Sequence, residues 1–175
     1  GTQLVKPTNP SKPGYTFTGW SGYTDGMTMP AENVTFTAQW KINTHTVTWV
    51  VDGQSSTAEF DFGSTIVKPA DPKKEGHTFA GWEGFKEGMT MPDNDLSFTA
   101  KWTVNTYYIH FDTDNGSDVE SVPYTYGADV TALPTTSRTG YQFIGWAIKV
   151  GESWQTVTDG SGKIILADGY TMPAN

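Results

Sequence analysis

Residues 112–118 read Asp-Thr-Asp-Asn-Gly-Ser-Asp. Carboxylates at Asp112, Asp114 and Asp118, spaced around a glycine, can wrap oxygen ligands round a calcium ion. An EF-hand loop also closes with a bidentate acid, which this stretch lacks. The competing reading is a tight Asn-Gly turn whose acids are solvated. The histidines His45, His77 and His110 sit at scattered positions. Zinc needs converging ligands at short spacing, so these three read as half-exposed strand residues.

Nucleophilic chemistry finds less support. There is no cysteine, hence no thiol nucleophile, disulfide framework or thiolate metal site. The chain contains no Gly-x-Ser-x-Gly elbow, no P-loop and no His-Glu-x-x-His. A glycosidase pair could be drawn from any two of the 19 acids, and nothing singles one out. The expectation is no catalytic residue and no cofactor, with calcium as the one candidate ion. Lys6 and Lys68 recur in matched segments and raise the question of an internal Lys-Asn isopeptide bond, which requires a lysine neutralised by burial beside an acid. Loop aromatics Tyr23, Phe85 and Trp154 could instead stack sugars, because function concentrates on variable loops.

Composition says what must position these groups. With 27 Thr, 24 aromatics, 19 Gly and 4 Leu in 175 residues, strands and turns are favoured over helices. A net charge of −8 opposes nucleic acid and anionic membranes as partners, since both need clustered cations. No apolar run is long enough for a membrane-spanning helix, and no leader pattern opens the chain. An acidic, cysteine-free, strand-forming chain leans toward a bacterial exported protein.

A repeat dominates the organisation. Gly-Tyr-Thr-Phe-Thr-Gly-Trp at 14–20 returns as Gly-His-Thr-Phe-Ala-Gly-Trp at 76–82 and Gly-Tyr-Gln-Phe-Ile-Gly-Trp at 140–146. At a spacing of 62, GTQLVKP meets GSTIVKP, MTMP meets MTMP, NVTFTAQW meets DLSFTAKW and INTHTVTW meets VNTYYIHF. At 64, AEFDFG at 58–63 meets VPYTYG at 122–127. The expected units are 1–41, lacking its first hairpin; 42–102, complete; and 103–175, carrying a 17-residue insertion and lacking its closing strand. The insertion reads as a hairpin in which ESWQTV and KIIL flank TDGSG.

Each phrase builds a face. Leu96, Phe98, Ala100 and Trp102 alternate with Ser97, Thr99 and Lys101, giving a strand with one dry side. In the Gly-aromatic-Trp phrase the Trp falls on the wrong face unless the preceding glycine bulges, so bulges are expected at Gly19, Gly81 and Gly145. The repeated core is then Phe17, Trp20, Phe36, Trp40, Phe79, Trp82, Phe98, Trp102, Phe143 and Trp146. Junctions are four residues, Lys41–Thr44 and Thr103–Thr106, with no Gly or Ser tract. Neighbouring units cannot swing freely, and the array should be a semi-rigid rod.

In order, FDTDNG, YG, GYQFIGW, Met-Pro and FTAKW resemble the Listeria-Bacteroides repeat, the internalin B-type repeat of bacterial surface proteins. The resemblance implies a β-dominated α+β fold of tandem, β-grasp-like units with short twisted sheets, whose reduced helical or irregular crossovers fall at 63–75 and 127–139. It also implies an extracellular, cell-surface, non-enzymatic stalk and protein-binding adhesion module. Its partner would be a host or bacterial surface protein or glycan. The alternative function is a carbohydrate-binding module using Tyr23, Phe85 and Trp154. Incomplete ends carry exposed strand edges, so end-to-end self-association is a further expectation.

Overall fold

Alternating small, β-branched and aromatic residues form ten strands in the computed structural model, which describes residues 1–166 and 171. Among the described residues none is helical. The fold is therefore β-dominated with small sheets, and the α component is corrected. Both crossovers take the irregular form, for a local reason: 63–75 carries Pro69 and Pro72 and 127–139 carries Pro134 among threonines, which removes donors and disfavours helix. The Met-Pro of the third copy, residues 172 and 173, lies outside the described residues.

The chain divides into two compact units, Gly1–Pro72 with Gly81–Lys101, and Lys73–Ala80 with Trp102–Asn175. In the first, β1 (Tyr15–Ser21) pairs antiparallel with β2 (Thr37–Ile42). Its register shifts between Phe17 and Gly19, where Gly19 takes φ 147°. That irregularity puts Trp20 opposite Ala38 and lets its ring meet Phe17 edge-on at 5.4 Å. β3 (Thr44–Val51) and β4 (Gln54–Asp61) form an unbroken hairpin. Its turn places Asp52 and Gly53 at φ 48° and 83°, the left-handed pair that a tight hairpin demands.

The sheet order is β4-β3-β6-β5, with β5 spanning His77–Trp82 and β6 spanning Leu96–Val104. Four residues of β3 run parallel to the start of β6, from Val47 opposite Leu96 to Val50 opposite Thr99. Every second side chain then points inward, and Val47, Trp49, Trp82 and Phe98 are buried together with Ile66 and Met91. The last two explain the recurrence of the flanking motifs. Met91 N donates to Ser64 O and Met91 O accepts from Gly63 N, both at 2.8 Å, and Ile66 N donates to Met89 O at 2.9 Å. In the first copy Leu4 N donates to Met27 O and Met29 N to Thr2 O.

The second unit pairs β7 (Thr106–Ile109) with β8 (Val122–Thr125), and β9 (Ala147–Val150) with β10 (Ser153–Thr156). Its buried side chains are Val130, Leu133, Val157 and Thr158. Two expectations change here. GYQFIGW makes no strand, although Gly145 keeps φ 136°. The insertion is also more than one hairpin: SWQT pairs with AIKV, while the turn through Asp159 joins Val157 to Ile165 and Ile164 to Thr131. Asp159 caps that turn by accepting from Ser161 N, Ser161 Oγ and Lys163 N.

Candidate functional site

The most repeated polar geometry is a clasp at each junction. In the first unit Asn43 N donates to Gly14 O at 2.9 Å and Asn43 O accepts from Phe62 N at 2.8 Å. Thr16 Oγ1 donates to Asn43 Oδ1 at 2.7 Å. In the second unit Asn105 N donates to Gly76 O, Asn105 O accepts from Tyr126 N, and Thr78 Oγ1 donates to Asn105 Oδ1 at 2.6 Å. One asparagine thus satisfies its own backbone while tying a Gly-aromatic phrase to the end of the following hairpin.

Gly14 and Gly76 are required there on two grounds. Both are buried with φ 73° and 67°, and a Cβ would fall 1.9 Å from the Phe62 ring or 2.1 Å from the Tyr126 ring. Each ends a turn that starts at a cation: Tyr15 N bonds Lys12 O, and His77 N bonds Lys74 O. Lys12 Nζ stands 3.7 Å from the Tyr15 ring centre, a cation–π contact at the same corner. The third copy repeats the turn at Arg138 and Tyr141, with the guanidinium 4.2 Å over the ring.

The two clasps differ in charge. At the first, Asp93 accepts from Gly14 N at 3.1 Å and Asn43 Nδ2 at 2.8 Å, and its Oδ1 lies 2.8 Å from His45 Nε2. Asp95 accepts from Thr46 N at 2.8 Å. At the second, Asn105 Nδ2 bonds the Tyr107 hydroxyl at 3.1 Å. Hydrogen bonds from Asn43, then from His45 and Gly14, hold the Asp93 carboxyl below its ordinary 3.8. The folded value lies below the unfolded one, so this stabilisation is present above the ordinary carboxylate value and is lost as pH falls through the folded value. Below pH 4, the melting temperature of the native chain should therefore fall more steeply than that of Asp93→Asn. Parallel acid limbs in circular dichroism melts would remove Asp93 from the account.

The sequence-selected residues are distributed as follows. Of the ten aromatic core candidates, Trp82 and Phe98 are buried, while Phe17, Trp20, Phe36, Trp40, Phe79, Trp102, Phe143 and Trp146 are half-buried. Tyr23 meets Phe36 edge-on at 5.6 Å, and Phe85 meets Trp49 and Phe98 at 5.4 Å each. Trp154 is 72% exposed. Asp112 Oδ1 accepts from Asp114 N at 3.1 Å, and Asp114 lies 3.3 Å from Arg138 Nη1. The turn here centres on Asp114 and Asn115, at φ 46° and 65°, one residue earlier than an Asn-Gly turn. Asp118 is exposed, and among the described residues no group of three or more His, Cys, Asp or Glu could hold a metal. Lys6 is exposed and Lys68 pairs with Asp71 at 2.5 Å, so neither has the burial an isopeptide lysine needs. His77 Nδ1 lies 2.7 Å from Glu75 O and His110 Nδ1 lies 2.6 Å from Ser121 Oγ.

The Asn clasps were missed by sequence reasoning because asparagine at a junction reads as an ordinary turn residue. The available signal was joint recurrence, Gly14 with Gly76 and Asn43 with Asn105 at 62, and Phe62 with Tyr126 at 64.

A family profile described as the Listeria-Bacteroides repeat domain matches residues 1–42, 45–106 and 107–168. A protein of Evansella cellulosilytica described as a membrane protein is 34% identical over 191 residues, covering 98% of this chain and 28% of the relative. A second from that organism, described as a Gly-rich membrane protein, is 34% identical over 169 residues, with 85% and 20% covered. Internalin H of Listeria monocytogenes is 38% identical over 120 residues, with 59% and 22% covered. The chain spans less than a third of the length of each of these relatives. No solved structure matches it. Among the described residues no helix is long and apolar enough to cross a membrane.

Proposed function

The chain belongs to the Listeria-Bacteroides repeat family, and from that premise we propose that it is a non-catalytic segment of a bacterial cell-surface protein. It works as a semi-rigid stalk and as a protein-interaction module in adhesion. The observation that carries this reading is the twice-built Asn clasp, made from the same residue types at both junctions. Packing and clasp recur, with a cation at the start of each Gly turn, whereas the acid and histidine at the first clasp do not: His45 is matched by Tyr107 and Asp93 by Ala31. A repeated active site would keep the latter and vary the former. Similarity to Internalin H supports the surface placement.

We read the complete repeat as β-grasp-like, with hairpin β3–β4, a crossover, and β6 returning parallel to β3. The repeat begins at β3 and ends with β6, so tension between its ends shears the ladder from Val47 opposite Leu96 to Val50 opposite Thr99. Shear strains these hydrogen bonds together, whereas unzipping would break them singly. Pulling single molecules should then give discrete force peaks. A full repeat of 62 residues releases about 20 nm, at roughly 3.4 Å per residue. Smooth extension without peaks would contradict a load-carrying role. The partner is a surface protein or glycan, and Trp154, which lies on strand β10 and not on a loop, is the candidate aromatic most open to it.

A further inference from the structure

β4 is the outermost strand of the sheet β4-β3-β6-β5, and among the described residues it pairs with β3 alone. Its residues, Gln54–Asp61, include no proline and no lysine, the usual guards of a sheet edge. Ser55, Thr57 and Glu59 are exposed. The outermost position belongs to the repeat itself: β8, which follows a complete repeat, is likewise paired on one side, with β7. There the edge is guarded, because Pro123 stands where β4 has Glu59.

The direction of each backbone group follows from the hairpin register. Phe62 N donates to Asn43 O, so the residues bonded to β3 alternate back from there through Phe60, Ala58 and Ser56. The N–H and C=O groups of Ser55, Thr57, Glu59 and Asp61 therefore point away from β3. The same alternation in the third copy starts from Tyr126 N and Asn105 O and turns Pro123 outward, where a missing N–H costs no ladder bond. At Asp61 the carbonyl is already occupied, accepting from Ser64 N at 3.0 Å and Ser64 Oγ at 2.7 Å. Ser55, Thr57 and Glu59 are left with outward groups that, among the described residues, bond nothing outside the hairpin.

We infer that this edge takes the β4 strand of a second copy of the chain, antiparallel, with Thr57 opposite Thr57. In that register Ser55 faces Glu59, and every outward residue exchanges both of its backbone bonds with its opposite number. Charge and turn geometry select it over its neighbours. Centring the pair on Glu59 would set like charges against one another. Centring it on Ala58 would direct a ladder bond at the occupied Asp61 carbonyl, and centring it on Ser56 would run Glu59 into the hairpin turn at Gly53. On the inner face Ala58 meets Ser56, and the half-buried Phe60 lies opposite Gln54. Both copies use the same surface, so association stops at a side-by-side dimer.

Sedimentation velocity at physiological salt, where a net charge of −8 is screened, should show monomer passing to dimer as concentration rises, with no larger species. Glu59→Pro removes an outward donor and copies the residue that β8 tolerates. It should weaken the dimer about tenfold or more while keeping the far-ultraviolet circular dichroism spectrum. Because the chain has no cysteine, one introduced thiol reports the register. Thr57→Cys puts two thiols opposite one another with α-carbons about 5.5 Å apart, within disulfide reach, and oxidised glutathione should convert it to a covalent dimer. Gln54→Cys is also exposed but would lie about 20 Å from its mate, and it should stay unlinked. A monomer at every concentration overturns the proposal, as do growth beyond the dimer, equal cross-linking of the two thiols, and dimerisation unchanged by Glu59→Pro. The thiol arm leaves the edge backbone intact, so it decides even if Glu59→Pro fails to fold.

Discussion

Trp49→Ala should lower the stability of the first unit by about 3–5 kcal/mol, the range for deleting a large buried aromatic. Trp49 is 3% exposed, and its ring lies 4.9 Å from Trp82, 5.0 Å from Phe98 and 5.4 Å from Phe85. These neighbours come from two separate stretches, 82–85 and β6, so no single rotamer change can close the space. The side chain sits at the centre of the parallel ladder, opposite Phe98, so the cavity opens where the sheet is most crowded. Trp154→Ala is the control: a residue 72% exposed should move stability by no more than about 0.5 kcal/mol. Urea unfolding followed by far-ultraviolet circular dichroism avoids the change in fluorophore number. A loss below about 1 kcal/mol for Trp49→Ala would mean that the repeated aromatics are not what holds the unit together.

What the sequence made legible was the part governed by local alternation. Leu96–Val104 reads as a one-sided strand because every second residue is apolar, and neighbours on both sides of it can use that pattern. The bulge before Trp20 was legible for a related reason: a lone glycine was the residue able to correct the face, and the ladder slips there. GYQFIGW carries the same letters yet forms no strand. Strand formation needs a partner, and among the described residues no strand pairs with it as β2 pairs with β1. The absence of a helix in the crossovers was open to sequence reasoning through their prolines, but the family resemblance also allowed a helical form. The clasps were not legible, because they join residues 29 apart on one side and about 20 on the other, through backbone atoms that every residue has. Tyr23 and Phe85 show the converse problem. Loop position marked them as ligand platforms, while Phe36 and Phe98 lay within reach of their rings.

Gly76→Ala should destabilise the second unit by roughly 2–5 kcal/mol, combining a left-handed backbone with an overpacked contact. The methyl would lie 2.1 Å from Tyr126 Cγ and 2.2 Å from Cδ1, the base of the ring. The ring cannot swing away freely, since Tyr126 N is bound to Asn105 O and Asn105 N to Gly76 O, closing a loop that fixes both partners. Gly127→Ala separates the two contributions. It has φ 73° but nothing within 4 Å of the added carbon, so it should lose about 1–2 kcal/mol from backbone strain alone. Tyr126→Ala deletes a half-buried ring and is destabilising by itself, yet in the Gly76→Ala background it also removes the clash. The double variant should therefore be more stable than the sum of the single losses predicts, with a coupling of about 1–3 kcal/mol in a double-mutant cycle. Additive losses would show that glycine and ring do not share one space, and the clasp would reduce to three ordinary hydrogen bonds at a flexible joint. Coupling at Gly76 with Tyr126, matched by coupling at Gly14 with Phe62, would instead mean that both junctions are stiffened by one device, which is what force transmission along a repeat array requires.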